Sequence, residues 1–582
     1  MEFGSRIYTD YAHNFDGVKA ANEIERNPLT AGNISVSGDG AEFVGYNNIT
    51  GYYVFKINGT TFAQAAADPD KKYIEKITVN SPDEREVFFY VHSTSLLEGA
   101  AITDENNLLM PIGVQVSKNF DHEKEEPIYD PNDEMYGDTI FPFAAEKNKS
   151  ITLSVVNVYQ NWGKYAAKQL SSVSYYVAYY HLSTGVRETN CIAPYFATFE
   201  NKDDYGAWIL PDFRGASCDG QAKTVGTADS IQKNSVGEMS GVSNGTDSGV
   251  YQSSQINSEG LVYADLNYSY ISADGAYKYA YRHVEMPQND ESRTYYTVEI
   301  EFLKNTSLKY SEFRIFGFGP VTGGKNYSKA VYIGTDGKVT EINPSQNINS
   351  TSVIINKFTP KLYALQKGSS YFAYYGLESS GREQGNFGLI VKNYAITVNG
   401  VASDMGLALY NDRVSKGGSY VNRASLTIAQ DTTFVQGDKI IVNVILLPYG
   451  TATQTDYANV KKVYEDSVMN AIAVNAEVGT AVSDEYVPTI STTNNIAVFT
   501  LSGGCSENNA VGANYAINVS GINKLGRLKV EKMNENGEWE EVVFSSESGF
   551  DGYSVKYENE KFDYSFIVTK TTTSATYRVT VA

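Results

Sequence analysis

Residues 174–190 read SYYVAYYHLSTGVRETN, and residues 370–385 read SYFAYYGLESSGREQG. Aligned without a gap, both stretches give AYY-x-L-x-[ST]-x-x-RE. Tyrosine, valine and phenylalanine favour half-buried pleated surfaces, so each stretch starts as a strand. A turn of small residues follows, and the Arg-Glu pair then begins a returning strand or an edge loop. The repeat therefore predicts a duplicated β-hairpin that helps to build one large β body.

The chain around the two stretches continues the same pattern. Between residues 171 and 455, strand patterns such as GLVYADLNYSYI, TYYTVEIEFL and DKIIVNVILLP follow one another without a long helical pattern. Between residues 30 and 170, shorter strand patterns alternate with Gly, Asn and Asp turns, which is typical of a β-sandwich. We therefore predict an all-β protein whose body is a large multi-sheet β-sandwich, or supersandwich, with few short helices.

The pattern divides the chain into four parts. The C-terminal part alternates with period 2 and contains NENGEWEEV, which predicts a hairpin with an Asn-Gly turn. A helix is predicted near residues 455–474, where Val460, Val463, Tyr464 and Val468 form one apolar stripe. The predicted parts are a cloning scar at 1–5 (MEFGS), an N-terminal β-sandwich region at 6–170, the supersandwich domain with its helix at 171–478, and a small immunoglobulin-like accessory sandwich at 485–582.

Composition excludes several classes of function. The 582 residues carry a net charge of −21 and no basic run, which disfavours a nucleic-acid partner because phosphates are bound by Lys and Arg. The chain has 3 cysteines and no CxxC spacing, so neither a zinc site nor a disulfide framework is indicated. No run of apolar residues approaches the length of a membrane span, so we expect none.

Several quoted stretches resemble a known class of protein. KQLSSVSYYVAYYHLSTGVRETNCIAPYF, AWILPDFRG, GNFGLIVKNYAITVNG and DKIIVNVILLPYG resemble large extracellular bacterial β proteins that are associated with polysaccharide breakdown. Those proteins have supersandwich bodies like the mutarotase-type domains of glycan-active enzymes. The resemblance covers about residues 110–475 and carries over no catalytic residue. It implies a carbohydrate role. Separately, we expect an extracellular or cell-surface location, with a signal peptide removed where the MEFGS scar now stands.

The segment from residue 181 to residue 214 is the first candidate for a site. Glycoside chemistry needs two acid/base groups on either side of the scissile bond. It also needs an aromatic ring to stack on the sugar, and Arg or Asn to fix hydroxyl groups. We assign Glu188 and Asp212 as acid, base or nucleophile, His181 and His283 as assisting groups, and Arg187, Asn190, Trp208, Arg214 and Trp162 as substrate contacts.

Each of these assignments has a structural alternative. Arg187–Glu188 has a counterpart in Arg382–Glu383 of the second copy, so the pair can simply hold a hairpin through a bidentate contact. A single histidine in a strand, such as His283, is more often structural than catalytic. Trp162 can equally fill the end of a sandwich core. His181 and Asn190 belong to the first copy alone, which makes the first copy the better candidate.

An acidic loop at residues 121–138, DHEKEEPIYDPNDEMYGD, is the candidate metal site. Calcium takes six to eight oxygen ligands in a flexible geometry. The spacing is not that of an EF-hand, and a solvated acidic loop is the alternative interpretation. The predicted calcium ligands are Asp130, Asn132, Asp133 and Asp138. We expect no other cofactor.

Together these features favour a secreted or cell-surface bacterial glycoside hydrolase that acts on a polysaccharide or an oligosaccharide. A non-catalytic glycan-binding or adhesive surface protein fits the tyrosine-rich sheets as well. A polysaccharide lyase is a further alternative, in which a His or Tyr abstracts the proton next to a uronate carboxylate. Association into a homo-oligomer also stays open, since large exposed sheets often pack against a second copy.

Overall fold

The fold is given by a computed structural model. The structure describes residues 34–47, 52–61, 72–82, 85–94, 99–103, 105, 115–119, 136–158, 172–176, 179–183, 186–188, 190–192, 212–215, 228–229, 250–259, 262–271, 275–286, 288, 293–307, 315–320, 327–344, 361–377, 386–413, 420–428, 432–449, 455–506, 512–523, 528–542, 553–558 and 561–581. These residues lie mostly in strands of several sheets, which confirms the predicted all-β, multi-sheet body.

The N-terminal region is a two-sheet sandwich. Its strands are β1 (Ser35–Ser37), β2 (Glu42–Asn47), β3 (Tyr52–Thr61), β4 (Lys72–Ser81), β5 (Arg85–Thr94), β6 (Gly99–Thr103), β7 (Gln115–Asn119), β8 (Tyr136–Ala145) and β9 (Lys149–Val158). The sheet orders are β1-β4-β9-β6 and β2-β3-β5-β8-β7. Ile57, Phe89 and Phe141 from one sheet and Ile77 and Val155 from the other form a common buried core.

The central region holds the largest sheets. Its strands are β10 (Ser172–Tyr176), β11 (Tyr179–Ser183), β12 (Val186–Glu188), β13 (Asn190–Ile192), β14 (Asp212–Gly215), β15 (Ala228–Asp229), β16 (Val250–Glu259), β17 (Ala264–Ile271), β18 (Tyr277–Glu285), β19 (Thr294–Phe302), β20 (Thr306–Ser307), β21 (Phe316–Pro320), β22 (Tyr327–Ile333), β23 (Val339–Ile342), β24 (Lys361–Ala364), β25 (Ser370–Leu377), β26 (Asn386–Val398), β27 (Val401–Ala402), β28 (Gly406–Arg413), β29 (Tyr420–Thr427), β30 (Thr433–Phe434) and β31 (Lys439–Tyr449).

Two of these sheets pack face to face. The ten-stranded sheet has the order β16-β17-β18-β19-β31-β26-β25-β22-β23, with β27 paired to β26. The seven-stranded sheet has the order β12-β14-β15-β21-β29-β28-β24. Leu407 and Leu426 of the seven-stranded sheet share a buried core with Val298 and Val442 of the ten-stranded sheet. The body therefore is a sandwich of two extended sheets.

The ten-stranded sheet is buried on both faces at its centre. Along β31, Val442 and Val444 enter the core shared with the seven-stranded sheet. Ile445 and Leu447 enter a second core on the opposite face, together with the helix and the C-terminal sandwich described below. A strand buried on both sides is apolar at nearly every position rather than at every second one. This burial explains the continuous apolar run of DKIIVNVILLP.

In both copies of the AYY repeat the tyrosine strand pairs antiparallel with a strand that follows the Arg-Glu pair, β11 with β13 and β25 with β26, as the predicted hairpin requires. The two copies differ before that hairpin. In the first copy, β10 and β11 pair with each other up to the register Tyr176↔Tyr179. In the second copy, the matching residues form the single strand β25 inside the ten-stranded sheet. The two stretches have the same local β propensity, and this propensity does not determine which strands each one pairs with. The flanking strands determine it.

One helix occurs among the described residues, and it packs on the ten-stranded sheet. Helix α1 (Ala458–Tyr464) continues into a π-helical turn (Glu465–Met469), so it ends earlier than the predicted range 455–474. Val460, Val463 and Tyr464 are buried, as the predicted stripe requires. In the part of the chain that the structure describes, no helix is both long enough and apolar enough to span a membrane.

Gly388 of β26 lies directly beneath this helix, where a larger residue would not fit without a shift. A Cβ atom on Gly388 would meet Cγ2 of Val460 at 2.6 Å and Cδ2 of Leu447 at 3.1 Å. We expect Gly388→Ala to lower the free energy of unfolding by about 1–3 kcal/mol in urea denaturation, because it overpacks this contact. Gly406→Ala is the matched control, since a Cβ there meets its nearest atom at an ordinary 3.4 Å. Equal losses in both variants would contradict the close approach.

The C-terminal region is a second sandwich. It comprises β32 (Ala473–Val478), β33 (Thr480–Val482), β34 (Thr489–Ser491), β35 (Ile496–Ser502), β36 (Ala513–Ile522), β37 (Leu528–Met533), β38 (Trp539–Glu541), β39 (Tyr553–Glu558), β40 (Lys561–Lys570) and β41 (Ser574–Val581). The sheet orders are β32-β35-β41-β37-β38 and β33-β34-β36-β40-β39. β32 and β33 precede residue 485, and they pair with β35 and β34 of this sandwich. The NENGEWEEV hairpin is confirmed as β37–β38.

Lys570 is a buried cation inside this sandwich. It is fully buried, and its ammonium donates a 2.8 Å hydrogen bond to the carbonyl oxygen of Leu501. No ion pair with a carboxylate is found for it among the described residues. Burial lowers the pKa of Lys570 to about 8. The folded state therefore loses this proton at a lower pH than the unfolded chain does, although the ammonium is still charged at pH 7.

Replacing Lys570 with methionine should stabilise the protein. Below pH 8 the folded state bears the full cost of the buried charge, so we expect Lys570→Met to raise the free energy of unfolding by about 1–2 kcal/mol at pH 7. As the pH rises from 8 to the ordinary lysine value of 10.5, the unfolded chain binds more protons than the folded one, and the wild type gains stability. The difference in the free energy of unfolding between Lys570→Met and the wild type should therefore narrow over that range. If this difference does not change with pH, Lys570 is not a buried charge with a lowered pKa.

Candidate functional site

The strands of the predicted catalytic segment are divided between two sheets. β10, β11 and β13 form a three-stranded sheet, whereas β12 and β14 form the edge of the seven-stranded sheet. His181 of β11 lies opposite Cys191 of β13, and Asn190 lies opposite Leu182. The positions of His181 and Asn190 are therefore one register step apart on neighbouring strands.

The register of β12 and β14 brings the two predicted carboxylate positions together. Glu188 lies directly opposite Asp212 in this antiparallel pair. The register shifts between Val186 and Glu188, so that Arg187 alone stands opposite Phe213 and Arg214. This is a β-bulge, a feature that is frequent next to active sites because it re-aims side chains. Four of the predicted residues, Arg187, Glu188, Asp212 and Arg214, thus occupy one bulged strand pair.

A third acidic position extends this pair. Asp229 of β15 lies opposite Asp212 on the side away from Glu188. Like charges at directly opposite positions destabilise a sheet. Three acidic positions in a row should therefore destabilise the sheet, so a contribution to stability does not explain them. The sequence did not reveal Asp229, because its surroundings, TVGTADS, have no strand pattern and only the pairing places it in this row.

Several predicted residues lie outside the described residues. They are Trp162, Trp208, Asp130, Asn132 and Asp133. Asp138 is the fourth predicted calcium ligand, and its backbone lies in β8, opposite His92 and Ser117. Among the residues that the structure describes, no group of three or more His, Cys, Asp or Glu is arranged to hold a metal. The calcium site in the acidic loop stays a prediction.

His283 lies in the interior of the body. It is fully buried in β18, and its ring stacks on Tyr296 of β19 with 4.5 Å between the ring centroids. A substrate could reach this ring only if the packing around it opened. The assisting role of His283 stays a prediction, whereas its position fits the structural alternative given above.

The neighbouring Arg282 joins the body to the C-terminal sandwich. Its Nη2 and Nε donate to the two carboxylate oxygens of Asp265 at 2.8 and 3.1 Å, and Nη1 donates to Asp484 at 2.6 Å. Asn257 donates a further hydrogen bond to Asp265 at 3.0 Å. Burial alone would raise the pKa of Asp484, but the hydrogen bond and charge of Arg282 hold it below its usual value. These polar residues therefore serve a junction between domains.

Tyr486 completes the junction. Its hydroxyl donates a 2.5 Å hydrogen bond to the carbonyl oxygen of Tyr296 and lies 3.1 Å from Oδ1 of Asn443. The Arg282 guanidinium lies 5.7 Å from the centre of the Tyr486 ring, and the Lys392 ammonium lies 5.0 Å from it. The segment around Tyr486 reads as a linker in the sequence. In the structure it anchors the sandwich to the ten-stranded sheet.

Comparison with known proteins adds little to this geometry. No protein-family model matches the chain, and no curated protein matches it. Among the solved structures that match is a galactose mutarotase related enzyme from Lactobacillus acidophilus, which is 8% identical. The match covers 49% of this chain and 100% of that one, with a TM-score of 0.21. A likeness of this size says nothing about substrate or mechanism.

Proposed function

We propose that this protein is a secreted or cell-surface glycoside hydrolase that uses Glu188 and Asp212 as its carboxylate pair. The observation that carries the proposal is the register of β12 and β14, which sets the two positions opposite each other beside a bulge. Directly opposite residues in an antiparallel pair have Cα atoms about 4.5–5.5 Å apart. Glycosidases hold their two carboxyl groups roughly 5–10 Å apart, so this pair of positions suits the chemistry.

The reaction assigns distinct roles to the two groups. One carboxylic acid protonates the oxygen of the leaving group while the bond to the anomeric carbon breaks. The other carboxylate either attacks that carbon or activates a water molecule. Arg187 and Arg214, next to the pair in the bulge, would hold hydroxyl groups of the sugar. His181, Asn190, Trp208 and Trp162 remain proposed contacts or assisting groups. The chain's net charge of −21 favours a neutral sugar over an acidic one.

Two alternatives would give different results in one screen. The purified protein is incubated with a panel of neutral polysaccharides, uronate-containing polysaccharides and aryl glycosides, and the products are analysed. New reducing ends without unsaturated sugar are expected for the hydrolase. Products that absorb as unsaturated uronates would instead indicate the lyase. Binding to a polysaccharide without release of any product would indicate a non-catalytic surface protein and would overturn the proposal.

A further inference from the structure

Among the described residues, no other element covers one sheet face of the C-terminal sandwich. Its sheet β33-β34-β36-β40-β39 packs on the body, where Asn518 donates to the Tyr263 hydroxyl at 2.9 Å and Gln288 donates to the carbonyl oxygen of Asn514. The other sheet, β32-β35-β41-β37-β38, buries Phe499 and Tyr577 inward. Residues at the alternate positions of that second sheet are partly exposed and form what we call the outer face.

An ordered aromatic ring lies on the outer face. Trp539 of β38 is half-buried, and the guanidinium carbon of Arg578 in β41 lies 4.6 Å from the centre of its ring. Nε of Arg578 donates a 2.6 Å hydrogen bond to Glu531 of β37. This bond is the main reason that the pKa of Glu531 falls to about 2. Arg578 is thus fixed from one side, and it fixes the ring in turn.

The turn before Trp539 is also well ordered. The side-chain oxygen of Asn534 accepts hydrogen bonds from the amides of Asn536 at 3.0 Å and Glu538 at 2.9 Å. Gly537 takes the positive φ of 78° that this turn requires. A ring held by its strand, its turn and a stacked guanidinium loses little conformational freedom when a ligand binds. The outer face is therefore preorganised around Trp539.

The outer face carries paired charges and a small acidic excess. Lys529 contacts Glu531 at 3.0 Å and Glu541 at 4.0 Å, and Arg578 contacts Glu531. The exposed Glu538 and Glu540 on either side of Trp539 accept hydrogen bonds from the neutral Asn534 amide, so the face disfavours an anionic ligand. Hydroxyl groups of Thr500 and Thr576, 2.8 Å apart, provide neutral hydrogen-bonding partners on the same face. This combination complements a ligand that is uncharged, rich in hydroxyl groups and apolar on one ring face.

We infer that the outer face binds a neutral polysaccharide chain, with a sugar ring stacked on the indole of Trp539. The inference takes the class of ligand from the proposed function and adds a second site, on a different domain from Glu188 and Asp212. Stacking of a sugar on an aromatic ring removes apolar area from water at both surfaces. The sandwich would hold the enzyme on its polymer while the body cleaves it.

Native electrophoresis of the full-length protein in gels that contain soluble starch, galactomannan, xylan or mixed-linkage β-glucan tests the inference. Trp539→Phe and Trp539→Met both keep an apolar side chain, but only the first keeps a ring. We expect Trp539→Met to weaken the binding that retards the wild type by about tenfold or more, and Trp539→Phe to keep most of it. Both variants should keep the wild-type melting temperature and the wild-type activity on a small aryl glycoside.

The outcomes separate the two proposals. Equal retardation of Trp539→Met and the wild type would overturn the inference, and so would a wild type that none of the four polysaccharides retards. Retardation that depends on Trp539, without hydrolysis of any substrate, would support the binding face and refute the hydrolase. Hydrolysis of aryl glycosides without retardation would do the reverse. No variant touches β12 or β14, so activity on the small substrate reports on the body alone.

Discussion

Replacing Glu188 with glutamine should lower the rate of sugar release by about 10³-fold or more on whichever substrate the wild type cleaves. Glutamine has nearly the shape of glutamate, but it can neither donate a proton to the leaving group nor attack the anomeric carbon. A positioned acid or base contributes about 10²–10⁴-fold to a rate. The loss should appear in kcat, with KM nearly unchanged, because the glutamine still occupies the same space. Initial rates on an aryl glycoside measure both constants.

The repeat supplies a matched control for this experiment. Glu383 follows Arg382 in the second copy just as Glu188 follows Arg187 in the first. Glu383→Gln should therefore keep wild-type activity, whereas Asp212→Asn should lose about as much as Glu188→Gln. The double variant Glu188→Gln/Asp212→Asn should be scarcely worse than either single one, because both groups act in the same step. Undiminished activity in Glu188→Gln would refute the assignment of the carboxylate pair.

The sequence predicts the class of fold because the hydrophobic patterns of strands are repeated along the whole chain. Period-2 alternation marks the strands of the C-terminal sandwich, where β41 alternates buried residues with exposed or partly exposed ones, as expected. The apolar stripe of α1 identifies Val460 and Val463 as buried. Pairing partners are not encoded so locally. The strand that holds the AYY residues pairs with β10 and β13 in the first copy and with β22 and β26 in the second, although both copies form the predicted hairpin.

The role of a polar residue in a strand is harder to predict from the sequence than the class of fold. Arg282 and His283 are adjacent polar residues in a Tyr-rich strand, so their side chains lie on opposite faces of the sheet. The C-terminal domain covers the face of Arg282, which binds Asp484 across the junction. The sequence does not show whether another domain covers such a residue, so it does not distinguish a functional site from a domain junction. The pairing of Asp229 with Asp212 is the opposite case, in which the structure adds a residue that no local pattern marks.

Replacing Arg282 with methionine should have the largest effect on stability. The substitution leaves the carboxylate of Asp265, whose side chain is 3% exposed, with the Asn257 amide but without its bidentate partner. Removing one member of a buried ion pair costs about 3–5 kcal/mol, since the remaining charge stays buried. Urea denaturation should show a loss of that size. The junction should also open, so limited proteolysis should cut between residues 483 and 488 faster than in the wild type.

A double-mutant cycle shows whether the loss comes from the stranded charge. Asp265→Leu/Arg282→Met removes both partners, and it should recover most of the stability because no buried charge is left. Lys439→Met is the control for an exposed pair, as Lys439 and Glu301 are 3.7 Å apart with side chains 55% and 46% exposed, and it should cost at most about 1 kcal/mol. If Arg282→Met costs no more than Lys439→Met, the ion pair does not hold the junction. The apolar contacts beneath Tyr486 would then carry it, and Tyr486→Ala would be the variant that separates the domains.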